Sequence, residues 1–420
     1  MKINKILSIF LILTTLSIFL TACSPNKNGE DANTDLNGTY NITKWVSEVD
    51  GVASQVKEQI DAFEAANPGI VINALIEGVN EGDVASKVLT DVASAPDMYF
   101  FAQDQLSRLI QAAALAAPGK NAQEPLRENN DEISVDSSTV GGTIYAYPMT
   151  SDNGYFMYYD KSIISESDAQ DMTKIIKACE SAGKKFRFAL ENAWYTASFF
   201  LGAGCVSSWS TDSDGNFNGV EDDFNSDKGL IAMKGMMELT QSKCYDSDAD
   251  VFTDAGVVIS GIWNYGAASE FFGKNLGITD LPSYTVDGKS YHLGSFSGNK
   301  LLGVKPQSDA KKAAVLSKLA LYLTGEECQE QRFDRFQWGP SNIKVQSSDK
   351  VKSNSALTAL AEQNKFATPQ GQIHGSWWDI AKVLGADAKR ASSQEDLKKA
   401  LNNNEKAISR IVPLTKDNDL

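Results

Sequence analysis

Histidine is almost missing from this chain: 2 of 420 residues, His292 and His374, far apart in sequence. That disfavours a histidine-built metal centre and a Ser/His or Cys/His nucleophile system. Cysteine is scarce too, at five, and no CxxC pair occurs, so no zinc knuckle is indicated. Basic residues are outnumbered, 39 against 54 acids, for a formal charge of −15. Such a chain is a poor partner for nucleic acid or an anionic membrane surface. It has no P-loop, nucleophile elbow or metalloprotease helix, and no internal repeat that would mark a structural adhesin. A surface glycoside hydrolase needs two carboxylates across a sugar ring; no motif nominates a pair among the acids. The residues read as non-enzymatic, with no cofactor and no metal.

One long apolar run is present, residues 6–20, behind Lys2 and Lys5. It has the length of a signal h-region and is short for a membrane span. It ends in Leu20-Thr21-Ala22-Cys23, which resembles the lipobox of bacterial lipoproteins. The resemblance implies removal of residues 1–22, a lipid on Cys23, and an extracytoplasmic protein anchored to a bacterial cell membrane. Loss of Lys2 and Lys5 would make the mature chain two units more acidic. Residues 23–38, polar and rich in Asn and Asp, read as a disordered tether. Beyond Cys23 lie Cys179, Cys205, Cys244 and Cys328. A Cys205–Cys244 disulfide is permitted in that compartment; four buried thiols are the alternative.

From residue 39 the pattern alternates strand and helix. Residues 39–46 are strand-like, and 52–67 carry Val52, Val56, Ile60 and Phe63 at helical spacing up to the breaker Asn67-Pro68-Gly69. Strand character returns at 70–76 and 98–101, helical spacing at 83–95 and 103–117. That alternation predicts βαβ units and a mainly parallel sheet. Further helices are expected at 168–183, 195–202, 228–242, 311–323, 355–363, 377–385 and 394–411, and strands at 186–190 and 257–262. About 380 residues exceed one ordinary core, so two domains are the expectation.

The stretch GTIYAYPMTSDNGYFMYYDK, 142–161, organises the whole. Two apolar strands flank Pro148, which cannot donate to a ladder, and Gly154, which absorbs backbone rotation. Asp152 lies between them. This is what a bendable crossing between two lobes looks like.

FEAANPGIVINALI, SAPDMYFFAQD (94–104), IYAYPMTSDNGYFMYYDKS (144–162), VVISGIWNYGA (257–267) and GSWWDIAKVL (375–384) occur in one order along the chain. Together they resemble the extracellular solute-binding proteins of ABC sugar importers, of the maltose/maltodextrin-binding type. Tyr159 departs from the pattern, standing where that family commonly has Asn. So does an acidic hairpin-like insertion around 211–223. The resemblance implies a two-lobe periplasmic-binding-protein fold, type II-like, with a mainly parallel sheet in each lobe. The lobes would be 39–150 plus 293–338 and 151–292 plus 339–420, joined by hinge crossings near 148–154, 293 and 339. It also implies a maltodextrin-type oligosaccharide ligand, ABC permease subunits as partners, and a monomer.

A pyranose site needs flat aromatic platforms and planar hydrogen-bonding groups. The resemblance carries that role to Phe101, Trp194, Trp263 and Trp378 as platforms, with Tyr265 and Trp377 beside them. Asp104, Asp152 and Asn192 would be their polar partners. Any one of these aromatics could instead be core or rim. The same fold also serves other solutes; a polyamine fits aromatics and acids, whereas phosphate would want arginines and iron a Tyr/His cluster. Asp212-Ser-Asp214-Gly-Asn216 resembles a calcium loop in composition, but Phe217 stands where an EF-hand needs Gly, and a solvated hairpin is the plainer reading.

Overall fold

The computed structural model describes residues 35–211, 217–248 and 251–412. The leader, Cys23 and most of the tether lie outside them, as does the centre of the Asp212–Asn218 loop. No helix among the described residues is long and apolar enough to cross a membrane.

Ten strands build two five-stranded sheets. They are β1 (Gly38–Val46), β2 (Ile70–Gly78), β3 (Met98–Ala102), β4 (Tyr147–Pro148), β5 (Phe156–Asp160), β6 (Lys185–Arg187), β7 (Tyr245–Asp246), β8 (Ala255–Ser260), β9 (Leu276–Thr279) and β10 (Lys300–Val304). The first sheet runs β2-β1-β3-β10-β4 and the second β7-β6-β8-β5-β9. Each sheet has two parallel ladders followed by two antiparallel ones. The expectation of mainly parallel sheets therefore holds for the βαβ half of each. β10 enters the first sheet, and β5 the second, directly from a crossing, and each runs antiparallel to both of its neighbours.

The helix Val52–Ala66 follows the expected spacing, with Val52, Val56, Ile60 and Phe63 buried. Residues 83–95 and 103–117 supply only Val84–Thr90 and Leu106–Gln111 as α-helix. Residues 168–183 give Met172–Ala182, closed by Gly183 in the left-handed region at φ 64. The second sheet packs on one large core that includes Tyr155, Phe199, Met233, Val257 and Trp377. All four described cysteines are free and buried, so Cys205 and Cys244 are unpaired.

Three segments pass between the sheets side by side. Ser151 N–H donates to Gly339 O (2.9 Å) and Asn153 N–H to Gly298 O (3.0 Å). Gly339 N–H donates to Asp152 Oδ2 (2.6 Å). Asn299 Nδ2 ties the second segment to Thr150 O (2.9 Å) and to Ser134 Oγ (2.6 Å). Just before this junction, Ser295–Ser297 pairs with Ala367–Pro369, and Gly294 N–H donates to Ser198 O. Just after it, Ser341 and Asn342 donate to Gln329 Oε1, and Gln346 donates to Asp131.

Candidate functional site

The site is assembled at this junction from strand ends of both sheets. β8 is fully buried and ends at Ser260, one residue before Gly261. A 3₁₀ turn, Ile262–Asn264, then presents Trp263 half-exposed. A Cβ on Gly261 would lie 2.1 Å from the Trp263 ring, so only glycine lets the indole fold back over its own strand. The helix Ala193–Gly202 presents Trp194 from its first turn. Trp194 meets Trp263 at 5.9 Å between centroids, inclined 40°, and it abuts Tyr155 edge-on at 4.5 Å.

Gln370 is 1% exposed and joins the second side of the site. Its Oε1 accepts from Trp194 Nε1 (3.0 Å), and it lies against the Gly298 crossing. Trp378 is half-buried, edge-on to Phe296 at 5.1 Å. Trp377, one position earlier, is fully buried and donates to Asp222 Oδ2 (2.9 Å). Trp378 is thus the partly exposed indole of the pair, and Trp377 belongs to the core.

The first sheet contributes Lys300 at the start of β10. Its Nζ lies 3.4 Å from Glu81 Oε1, 4.2 Å from the Trp338 ring centroid and 5.9 Å from that of Trp263. The last contact joins the two lobes. A second approach is made where Gly371 faces Gln103 and Gly375 faces Arg108, too close for any larger residue without a shift.

Two proposed ligand residues fall elsewhere. Phe101 is completely buried among Tyr99, Leu115 and Leu301 on one face of the first sheet. β3 is covered on both faces, so its last aromatic is core and not platform. Asn192 caps the helix it precedes, its side-chain oxygen accepting from Trp194 N–H (3.0 Å); it sets the angle of Trp194 from outside the site. Asp104 is half-buried in the 3₁₀ turn after β3. Burial pushes its carboxyl up to about 7, opposed by Arg108. Asp152 is 2% exposed, held by Gly339 N–H, and raised by burial against the pull of Lys300.

Lys300, Glu81 and Gln370 escaped the sequence reading because each lies in a segment without a motif and meets the tryptophans only through the fold. Two buried donors here, Trp378 Nε1 and Gln370 Nε2, have no hydrogen-bond partner among the described residues. Half-exposed indoles beside unspent donors and a lysine–glutamate pair suit a ligand with apolar faces and a rim of hydroxyls. No group of three or more His, Cys, Asp or Glu placed to hold a metal occurs among the described residues.

Two sheets joined by adjacent crossings, with an aromatic-lined junction between them, define a two-lobed solute-capture protein. Residues 58–359 match the family model of the bacterial extracellular solute-binding proteins, and the chain belongs to that family. Among curated relatives it is similar to the galactooligosaccharide-binding protein of Bacillus subtilis, 22% identical over 89% of both chains. It is also similar to the maltooligosaccharide ABC transporter solute-binding lipoprotein of Streptococcus pneumoniae, 22% identical over 96% of both. Among solved structures, one determined with acarbose shares 26% identity at a TM-score of 0.78, covering 89% of this chain and 99% of that one. A maltodextrin-binding protein from L. casei, solved without ligand, gives 0.73 at 22% identity over 89% and 100%. The two-lobe maltose-binding-protein fold is therefore the fold of this chain.

Proposed function

We propose that this protein is the lipid-anchored binding subunit of an ABC importer and captures an oligosaccharide of the maltodextrin type without turning it over. One observation carries the reading. Trp194, Trp263 and Trp378 stand half-buried on the second lobe, at the junction where Lys300 of the first lobe reaches over Trp263. Sugar rings would stack on the indoles, and their hydroxyls would take the free donors of Trp378 and Gln370. Asp104 and Glu81 would accept from the ligand's other edge. Relatives named for malto- and galactooligosaccharides support a glycan over a polyamine.

We place the lobes at 39–150 plus 298–346 and 151–297 plus 355–412, because 295–297 bonds to the second side and 341–346 to the first. Closure by hinge rotation follows from ligand contacts to both lobes, and the closed form would dock on the permease. The test is calorimetric titration of the purified protein with maltotriose, maltotetraose, a galactooligosaccharide and spermidine. Saturable heat with a glycan supports the reading; heat with spermidine alone overturns it. Release of reducing sugar would point to hydrolysis instead. Radiolabelled palmitate incorporation, lost in Cys23→Ala, tests the anchor.

A further inference from the structure

The first sheet has two unlike faces. Register puts Lys44 level with Met98, Phe100 with Leu302 and Leu302 with Tyr147, on one face; Trp45, Tyr99, Phe101 and Leu301 take the other. The first face is roofed by the helices Val52–Ala66, Ala310–Leu323 and Glu326–Phe336. Tyr147 bonds Ser317 of the second helix (2.9 Å). Gln55 and Gln59 donate to the backbone of the third, at Gln331 and Cys328.

Two cations lie inside this layer, Lys44 and Arg332, each 1% exposed. Lys44 Nζ stands 4.1 Å over the Phe100 ring and has no hydrogen-bond partner among the described residues. Arg332 spends Nη1 on Leu323 O (2.8 Å), while its Nε and Nη2 have none there. Burial, and after it the Arg332 charge, push the Lys44 ammonium well below the ordinary lysine range, so an anion beside it is what would keep it protonated; the carboxylate that acts on Arg332 is Asp152. Asp152 is shared with Lys300, which pairs with Glu81. With Lys44 protonated, three buried cations are set against two carboxylates. An uncompensated charge held out of water is strongly unfavourable.

We propose that this layer is a binding site for one small monovalent anion of halide size, held between the Lys44 ammonium and the free Nε–Nη2 edge of Arg332. One negative charge offsets the surplus of one; a sulfate or phosphate would overshoot it. The donors fit an anion, since Lys44 offers three N–H groups and the open edge of Arg332 two more. The position of Nζ over an aromatic face is the arrangement of a charged ammonium, since a neutral amine gains little from the ring. The unpartnered oxygens of Gln55 and Gln59 would take the remaining N–H groups through water. The anion would sit on the far side of the first sheet's helix-covered layer from the tryptophans, with Lys300, Glu81 and Asp152 the charges common to both places.

The test has two arms. Crystals of the wild-type protein soaked in sodium bromide should show an anomalous peak within hydrogen-bonding reach of Lys44 and Arg332. Density there that refines as water, with no anomalous signal, overturns the proposal without any variant. In solution, chloride or bromide should raise Tm over gluconate at equal ionic strength, saturably and on the order of 2 °C. Lys44→Met, which keeps the length and removes the charge, should fold and lose that halide increment. A halide increment kept in the variant overturns the assignment. So does a wild-type Tm that rises with pH identically in chloride and gluconate, since Lys44 would then be an uncharged amine.

Discussion

Gly261→Ala moves one indole and removes none, so it tests the site without deleting it. A Cβ at Gly261 would sit 2.1, 2.2 and 2.6 Å from three atoms of the Trp263 ring. Ordinary carbon contacts need about 3.5–4.0 Å, so the ring must move by roughly 1.5 Å or turn away. The backbone there is extended, at φ −104 and ψ −171, and accepts alanine without strain. Trp263 is half-exposed, so its displacement should leave chemical denaturation within about 1 kcal/mol of wild type. A sugar face on an indole removes on the order of 80 Å² of apolar surface from water, about 2 kcal/mol. Losing it weakens Kd by roughly 30-fold. Calorimetry with maltotriose reads this, and Trp263→Ala should match it. The double variant should bind no worse than Trp263→Ala alone, since both act through one ring. Wild-type affinity in Gly261→Ala would refute Trp263 as a platform. A wild type that binds no glycan would refute the glycan reading itself.

Other outcomes follow from the same geometry. Trp377→Phe should cost about 1–3 kcal/mol in denaturation, through lost packing and the lost bond to Asp222, with ligand affinity kept; Trp378→Ala should do the reverse. Asp104 has a folded pKa of about 7 against an ordinary 3.8. Its contribution to stability is thus present at acid pH and lost as pH rises through about 7, and Asp104→Asn should flatten Tm between pH 4 and pH 8. Gly339→Ala would bring a Cβ within 2.8 Å of Asp152 Cβ. Its Kd should worsen while the two sheets stay folded, as judged by far-UV dichroism and scattering in both liganded and free forms.

The βαβ alternation was legible because period and breakers coincide, as in the helix that Asn67-Pro68-Gly69 ends. The turn that carries Trp263 was legible for a related reason: a buried strand followed by Gly-x-Trp leaves the indole one place to go. Phe101 misled because MYFFA is buried on both faces, and a continuous apolar run has no alternation to say which side faces ligand. Asn192 misled because a cap and a ligand partner use the same residue types. Lys300, Glu81 and Gln370 come from three remote segments: the register of β10 beside β3 brings Lys300 to Glu81, and Gln370 reaches Trp194 and the Gly298 crossing from elsewhere. The antiparallel halves of both sheets were hidden for the same reason, since direction is set by a crossing and not by the strand's own residues.

The position of β10 also constrains how the chain can fold. It lies between β3 and β4 in the first sheet, yet 140 or more residues of the other lobe precede it in sequence. During synthesis the first three strands and Tyr147–Pro148 emerge with a gap where their central neighbour belongs. The sheet can close only after residues 155–297 have left the ribosome or the translocon. Folding of that intervening lobe brings Gly154 and Gly298 side by side, so the insertion hands β10 to its slot almost without further loop-closure entropy. The second core is completed later still, since Trp377, Leu384 and Leu397 pack into it and follow β10 in sequence. A nascent chain arrested before residue 300 should leave β3 open to proteases and holdase chaperones.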